Sequence, residues 1–320
     1  VSVDASTYEG YSASFRLLTT FSGGRTDTAQ VALMVGSRTS DDPVGPDAYG
    51  YLAYDDTDTA YPQAPTYSWI EIDPTYGGDG TEVLLGDYGE YQDKSKVVNL
   101  PFPFNYYGET YLQATVCSNG WLAMGKSDLV AYRNWTIPGA GGPNAMLAAF
   151  WDDLYQTTGS KVYHKYDDTE HRWILEWSRM RNSYNGAAET FEIILYDPAH
   201  HPTDTGDGLI VYQYNDVSIT DPVDGNVTVG IESPDQSDGL LYTYFNTYSA
   251  GAAPLTAGRA IRFIPTMEGP VGTLAGEVFN ASNGETALAG AMIEVLGSTR
   301  SFASGADGSY GGFVPPGTYD

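Results

Sequence analysis

The feature that most constrains the fold is a long succession of short β-type segments separated by polar turns. In the second half of the chain, apolar runs are bounded by turn residues such as Asp167-Asp168, Asn185-Gly186 and Asp224-Gly225. Residues from Val227 to Glu232 alternate between apolar and polar, which is the period of a half-buried strand. No helical rhythm lies between the strands, which excludes a parallel doubly wound sheet. We therefore predict an all-β fold of tandem antiparallel β-sandwich domains. The segments predicted as strands in this half are Val162–Tyr166, Trp173–Trp177, Thr190–Tyr196, Leu209–Tyr214, Val227–Ile231, Leu240–Phe245 and Ala260–Ile264.

The stretch from Val97 to Leu154 organises the rest of the prediction. Pro101 and Pro103 exclude regular central pairing there, because proline cannot donate to a strand ladder. Asn119-Gly120 is the strongest short hairpin signal in the chain. The segment Ala145–Leu154 contains neither glycine nor proline and could form one helix. A flanking proline and the strands on either side favour a buried strand instead.

The first part of the chain has a separate pattern. Residues 13–17 and 31–35 alternate around a Ser-Gly-Gly turn, so residues 1–37 are predicted to be the terminal strands of an Ig-like β-sandwich. Two or three strands do not make a stable sandwich alone. They therefore either dock on a neighbouring domain or belong to a sandwich that begins earlier. Residues 38–46 are polar and contain two prolines, so we predict a linker before a central β-sandwich of residues 47–266.

The net charge of the chain limits the classes of partner that can be expected. The chain has 15 Lys and Arg against 41 Asp and Glu, a net charge of −26 and a pI near 4.1. Nucleic acids and anionic membrane surfaces both require cationic side chains, so neither is an expected partner. No run of apolar residues is long enough to predict a membrane-spanning helix. The single cysteine, Cys117, cannot form an intrachain disulfide and is predicted to be a small buried hydrophobe. We expect a secreted or cell-surface protein that stays soluble through its charge.

A dense acidic run suggests a metal site. Asp55, Asp56 and Asp58 follow a tyrosine-rich segment, and Asp73 ends the next apolar stretch. Carboxylates at alternate loop positions are ligands that Ca²⁺ prefers, so these four residues are candidate calcium ligands. The run lacks the glycine and the distal glutamate of an EF-hand loop. A solvated acidic turn is the alternative.

Three sequons are candidate glycosylation sites: Asn134, Asn226 and Asn280. A glycan must project into solvent, so a used sequon lies on a loop or an exposed strand face. Asn226 and Asn280 adjoin turns and are expected to be exposed, whereas Asn134 lies next to Trp135 and close to the predicted core. Chance sequons that carry no sugar are the alternative.

A search for catalytic residues finds no convincing set. Asp152-Asp153 could supply the paired carboxylates of a glycosidase. Adjacent strand residues point to opposite faces, however, so the pair cannot flank one bond. Nucleophile-elbow, zinc-protease and phosphate-loop motifs are missing from the sequence, and His200-His201 lies in an acidic loop where a surface role is expected. We therefore predict a binding or structural module with no cofactor, unless calcium is one.

Two alternatives to plain adhesion stay open. Trp121, Trp135, Trp173 and Trp177, with the many tyrosines, could form a sugar-stacking platform, in which case the chain is a carbohydrate-binding accessory region. Core packing is the competing fate of these side chains, and their exposure decides between the two. Alternatively, open strand edges could recruit further copies, so that the chain is a self-assembling subunit of a filament or sheath.

A family resemblance rests on three motifs, LPFPFNYYG, CSNGWLAMG and FWDDL. In this order they resemble the core of nidogen-type extracellular modules over about residues 46–266. The resemblance implies a β-rich module without enzymatic activity that serves adhesion or matrix contact through protein or glycan partners. The region also resembles accessory segments that follow the catalytic domain of secreted, gingipain-like bacterial peptidases. An enzymatic domain could then precede it.

The last segment, residues 267–320, has its own resemblance. The features that carry it are its opening strand, the later segment Leu288–Ala291, the turn at Ala306–Tyr310, and Pro316–Tyr319. In these features the segment is similar to carboxypeptidase-regulatory and Cna-B-type domains. The implied fold is a prealbumin-like β-sandwich, here only partial because such domains continue for several more strands. We therefore expect the chain to be part of a longer protein.

Overall fold

Antiparallel strand pairing accounts for nearly all of the regular structure. The computed structural model describes residues 12–20, 26–34, 38–220, 226–266, 272–280, 286–294 and 301–314. The chain is 43% strand and 1% helix, so the predicted all-β class is confirmed.

The strands are numbered in chain order. Those before the central sandwich are β1 (Ser12–Thr20) and β2 (Thr26–Met34). Those of the central sandwich are β3 (Tyr51–Asp55), β4 (Thr81–Glu82), β5 (Ser95–Tyr106), β6 (Glu109–Cys117), β7 (Trp121–Met124), β8 (Met146–Trp151), β9 (Leu154–Tyr155), β10 (Lys161–Asp167), β11 (Arg172–Asn182), β12 (Ala188–Tyr196), β13 (Ile210–Asp216), β14 (Thr228–Glu232), β15 (Gly239–Tyr244), β16 (Thr247–Tyr248) and β17 (Ala260–Pro265). The last group is β18 (Gly272–Glu277), β19 (Phe279–Asn280), β20 (Thr286–Ala287), β21 (Met292–Glu294), β22 (Ser301–Ala303) and β23 (Ser309–Val314).

Two sheets form the central sandwich. The first sheet has the order β3-β17-β13-β12-β11-β10-β4, with β9 also paired to β11. The second sheet has the order β16-β15-β14-β8-β7-β6-β5. All seven segments predicted as strands in the second half coincide with strands of these sheets. The segment Ala145–Leu154 contains β8 and not a helix, as predicted.

The inner faces of the two sheets meet in one hydrophobic core. Trp177 and Phe191 of the first sheet stack with ring centroids 5.1 Å apart, and Phe150 of the second sheet stacks on Phe191 at 5.4 Å. The Trp177 indole N–H donates to the carbonyl of Cys117 at 2.8 Å, so a polar group at the centre of the core is satisfied across the sheets. The region from Val97 to Leu154 thus supplies four of the seven strands of one wall of the sandwich, β5 to β8.

The prolines act on pairing as predicted. Pro101 and Pro103 lie in β5, which is the terminal strand of the second sheet. The register of β5 against β6 breaks between Asn99 and Phe104, so the two residues without N–H groups fall in the irregular part.

The outer face of the second sheet is covered by the irregular segment 125–145. This segment leaves the end of β7, crosses the face and returns to the start of β8. Ile137 of this segment packs against Trp121 and Trp151 of the sheet in a small second core. The side chain of Glu232 is buried there and accepts a hydrogen bond from the Gly139 N–H at 2.6 Å.

The outer face of the first sheet is covered by residues 67–73, which we call the strap. Alternation of Ile70 and Ile72 with polar residues is typical of a strand, yet the strap has no ladder partner. Its N–H groups instead bond to buried side chains of the sheet. The Ser68 N–H donates to Gln213 of β13, the Ile70 backbone to Glu192 of β12, and the Ile72 N–H to Glu176 of β11. The strap therefore runs across three neighbouring strands, two residues to each.

The segment predicted as a linker, residues 38–46, contributes to the core. Val44 is buried and exchanges two backbone hydrogen bonds of 2.9 Å with Ala53 of β3. This part of the segment is therefore packed and not extended through solvent.

The remaining strands form smaller pairs. β1 and β2 pair along their whole length, from Ser12 opposite Met34 to Thr20 opposite Thr26, as their alternation predicts. In the last group, β18 pairs with β23, β19 with β20, and β21 with β22. The predicted turn at Ala306–Tyr310 leads into β23, and the Asp307 carboxylate accepts from the Ser309 N–H at 3.1 Å. Pro316–Tyr319 lies outside the described residues.

Candidate functional site

The turn at Asn119-Gly120, between β6 and β7, ties together the loops at one end of the second sheet. The Asn119 side-chain amide donates to Asp93 Oδ1 at 2.9 Å and to the Val130 carbonyl at 3.3 Å. Its side-chain oxygen accepts from the Leu154 N–H at 2.9 Å. Gly120 has a φ of +74°, and a Cβ there would lie 1.9 Å from the Phe150 carbonyl oxygen. Only glycine permits this approach.

Large apolar side chains project into solvent from the loops around this turn. Their exposed fractions range from 44% to 90%. We call this set the aromatic rim, and its members are Tyr88, Tyr91, Leu129, Tyr132, Trp135 and Phe245.

The rim follows the end of the second sheet strand by strand. Tyr91 lies on the loop before β5, and Leu129 is next to Val130, which Asn119 binds beside β6. Phe245 follows β15 at the other side of the sheet. Six adjacent strands lie between these limits, so their five gaps of about 4.8 Å place the rim along roughly 24 Å.

Buried donors hold the middle of the rim in place. The indole N–H groups of Trp121 and Trp151 both donate to the Ala131 carbonyl, at 3.0 and 2.9 Å. This carbonyl belongs to the residue before Tyr132. Since two fully buried side chains fix the same backbone atom, the position of the Tyr132 backbone is tightly determined.

The far part of the rim is held around the carbonyl of Asn226. That carbonyl accepts from the Asn134 side-chain amide at 2.9 Å and from the Phe245 N–H at 3.2 Å. The Thr228 hydroxyl donates to the Trp135 carbonyl at 2.8 Å. Trp135 and Phe245 are therefore neighbours although they are far apart in the sequence.

Charged side chains of both signs are interleaved with the rings. In the loops 83–94 and 126–136 the exposed charged residues comprise three cations and two acids, although the whole chain has 15 basic against 41 acidic residues. They are Lys94, Lys126, Arg133, Glu90 and Asp128.

A half-buried acid lies behind the rim. Burial raises the pKa of Asp153 to about 6, a hydrogen bond from Ser183 opposes the rise, and the carboxylates of Asp93, Glu90 and Asp87 add to it. Asp87, Asp93 and Asp153 thus place buried or half-buried negative charge behind the rim, while the exposed charges of the two loops nearly cancel.

The four predicted calcium ligands are not brought together around one point. Asp55 and Asp56 both bind the Arg259 guanidinium, at 3.4 and 2.7 Å, and Asp55 also accepts from the Tyr242 hydroxyl. Asp73 caps a 3-10 helix, Pro74–Tyr76, and accepts from Ser178 of β11.

The fourth ligand, Asp58, is buried rather than part of a solvated turn. One of its oxygens accepts from the Asp55 N–H, and burial raises the pKa of Asp58 to about 8. Across the described ranges, no group of three or more His, Cys, Asp or Glu side chains is placed to hold a metal ion. Asp55 and Asp56 thus face the Arg259 guanidinium and do not converge with Asp58 and Asp73 on one point, and calcium binding by these four residues stays a prediction.

The sequons differ in accessibility. Asn134 and Asn226 are buried, and their side-chain amides donate to the Asn226 and Ile219 carbonyls. The expected exposure of Asn226 is therefore wrong, because its side chain is buried and bonded to the Ile219 carbonyl; the Asp224-Gly225 turn beside it lies outside the described residues. Asn280 is exposed and stays a candidate for glycosylation.

The four tryptophans do not form one platform. Trp121, Trp173 and Trp177 are fully buried in the sandwich, whereas Trp135 is 54% exposed. Core packing explains the first three, and only Trp135 belongs to the aromatic rim. The other rim residues were missed because tyrosines and leucines in irregular loops carry no periodic signal of exposure.

The residues considered for catalysis have structural partners. Asp152 is buried and accepts from the Asn182 side-chain amide at 2.9 Å, while Asp153 accepts from Ser183. His200 stacks on His171 with ring centroids 3.5 Å apart. Burial raises the pKa of the Cys117 thiol well above its usual range. Throughout the described part of the chain, no helix has the length and apolarity needed to cross a membrane.

Comparison with known proteins identifies the family. The family model described as NIDO related matches residues 66–266, which is more than half of the chain. The chain belongs to the NIDO-related family. The match supports the nidogen-like module inferred from the three motifs, and the NIDO-related region contains every strand of the two sheets except β3, together with all of the rim. No curated protein and no solved structure matches the chain.

Proposed function

We propose that the chain is a non-catalytic extracellular adhesion module of a larger secreted or cell-surface protein, and that the aromatic rim is its contact surface. The family match supports an extracellular module of the nidogen-like kind. The observation that carries the proposal is the row of exposed rings on loops that buried side chains hold in place. Exposed apolar patches of this kind mark interaction sites, since solitary exposed residues are common but rows of them are not.

The construction of the rim also favours contact over a purely structural role. A side chain that serves stability is expected to be buried, yet Tyr91 is 90% exposed. Aromatic side chains contribute large contact areas at interfaces because they lose little conformational freedom on binding. The loops carrying them are already ordered by Asn119, Trp121 and Asn134.

The experiment measures retention of beads that carry the full chain, attached through an N-terminal biotin. Surfaces coated with collagen, laminin or fibrinogen are compared with cellulose, chitin and peptidoglycan. A rim variant combines Tyr132→Ser with Trp135→Ser. A control variant combines Tyr76→Ser with Phe279→Ser, whose exposures of 51% and 48% match the 44% and 54% of the rim pair.

We expect the wild-type chain to be retained on at least one surface, the rim variant to lose at least about tenfold of this retention, and the control variant to keep it. Equal retention of the rim variant and the wild type would assign contact to another surface. No retention of the wild type on any surface would remove adhesion as the function.

A further inference from the structure

The pattern of charge along the aromatic rim distinguishes between classes of partner. The core of a protein–protein interface is depleted of charged residues and forms a contiguous apolar patch. In the rim, Arg133 lies between Tyr132 and Trp135, Asp128 precedes Leu129, and Glu90 precedes Tyr91. Four of the five exposed rings, all except Phe245, therefore have an exposed charged residue within two positions in the sequence. A folded protein surface would leave several of these charges desolvated and unpaired.

A sugar chain fits this alternation. Each pyranose ring has apolar C–H faces that pack on aromatic rings, and a circumference of hydroxyl groups that both donate and accept hydrogen bonds. Carboxylates accept from hydroxyls, and Lys or Arg side chains donate to them. The rim provides both types next to its rings.

The length and the charge of the rim also favour a sugar chain as its ligand. Its span of roughly 24 Å along the strand ends is a linear array and suits an extended chain better than a small ligand. The exposed loop charges nearly cancel, with Lys94, Lys126 and Arg133 against Glu90 and Asp128. The chain as a whole, with its net charge of −26, repels polyanions at longer range. An uncharged chain meets neither a strong local attraction nor this repulsion.

We propose that the aromatic rim binds an uncharged polysaccharide, laid along the Asn119 end of the second sheet with successive sugar rings on Tyr91, Tyr132 and Trp135. The inference rests on the proposed contact role of the rim and specifies its ligand. Trp135 offers the largest ring and sits on Gly141, where a Cβ would come within 2.6 Å of the tryptophan Cβ. The close approach of the chain at Gly141 supports the Trp135 side chain from behind.

The test is isothermal titration calorimetry of the full chain with β-1,4-linked glucose and N-acetylglucosamine oligosaccharides, from the disaccharide to the hexasaccharide. Hexasaccharides of uronic acids and a collagen-derived peptide serve as the anionic and protein comparisons. We expect affinity to rise with the length of the uncharged chain, because additional rings reach further rim residues. The rim variant is expected to lose at least about tenfold in affinity for the hexasaccharide, and the control variant to bind as the wild type does.

The outcomes separate this inference from the proposed function. Rim-dependent retention of beads on protein surfaces, together with no binding of any uncharged oligosaccharide, overturns the glycan assignment and leaves adhesion in place. Binding of uronic-acid chains alone overturns the uncharged class. Oligosaccharide binding that survives in the rim variant places the site elsewhere. Circular dichroism of both variants, matching the wild type, shows that lost binding does not come from unfolding.

Discussion

Replacing Glu176 by glutamine tests the side-chain contacts that hold the strap on the first sheet. Glu176 and Glu192 face each other in register on β11 and β12, and both are fully buried. Burial raises the pKa of Glu176 to about 8, with Glu71 and Asp73 adding to the rise and Arg179 opposing it. Burial also raises the pKa of Glu192 well above its usual range, and the charge of Glu176 contributes. We infer that the folded protein keeps these carboxyl groups protonated near neutral pH.

The direction of the pH dependence follows from whether the folded or the unfolded chain loses the Glu176 proton first as the pH rises. Below about pH 4.5 Glu176 is protonated in both the folded and the unfolded chain, so it does not alter the free energy of unfolding. Between about 4.5 and 8 the unfolded chain releases this proton and the folded chain retains it, so rising pH favours unfolding. At about 1.4 kcal/mol for each pH unit, the loss of stability accumulates to about 5 kcal/mol above pH 8, and slightly less of it is present at pH 8 itself, where Glu176 of the folded chain is half ionised.

Glutamine keeps the oxygen that accepts from the Ile72 N–H but cannot ionise. We expect Glu176→Gln to match the wild type within about 1 kcal/mol at pH 5 and to exceed it by about 4 kcal/mol at pH 8. Urea unfolding at pH 5, 6, 7 and 8 measures the difference. All six tryptophans lie between residues 69 and 177, so intrinsic fluorescence reports on the central sandwich alone. Glu170→Gln, at an exposed turn, is the control and should show a constant difference. A constant difference for Glu176→Gln as well would refute the buried, protonated carboxyl.

Three further predictions concern other parts of the central sandwich. Gly120→Ala is expected to destabilise it by several kcal/mol more than Gly186→Ala, which has a similar φ of +71° but open space at the Cβ, as denaturant midpoints will show. Arg259→Met leaves two aspartates without their cation and should cost about 3–5 kcal/mol; calcium binding by the four aspartates would raise the wild-type melting temperature, and no change with calcium or EDTA would refute it. Cys117 should react with Ellman's reagent only after unfolding, and rapid reaction of the folded chain would contradict its burial.

The strands were predictable because a strand that is buried on one face alternates between apolar and polar residues. Residues from Val227 to Glu232 alternate as expected and form β14, and the turn at Asn119-Gly120 separates paired strands. The strap alternates in the same way and yet joins no sheet. Alternation records which side of a segment is covered, but it does not say whether the backbone partners are another strand or buried side chains.

The buried polar contacts and the aromatic rim were less predictable from the sequence than the fold. Glu176 lies in the apolar run WILEW and Glu192 in TFEIILY. A glutamate inside a strand that is apolar on both faces is a signal of burial that alternation alone does not reveal. Asp55 and Asp56 were assigned to calcium because Arg259, far along the chain, has no local mark as their partner. Exposure of the rim depends on anchors that are similarly remote in sequence.

Both outer faces of the sandwich are covered by irregular chain, and in both cases buried side chains satisfy its polar backbone groups. Ordering such a segment costs about 1–2 kcal/mol for each residue, and this cost is met when the protein folds. Trp121 and Trp151 hold the Ala131 carbonyl. A ligand that stacks on Tyr132 therefore does not have to order the backbone that carries the ring, and a smaller ordering cost is the condition under which weak stacking contacts add to useful affinity. Because both outer faces are covered, the loops at the Asn119 end are the part of the sandwich from which an extended partner can be recognised.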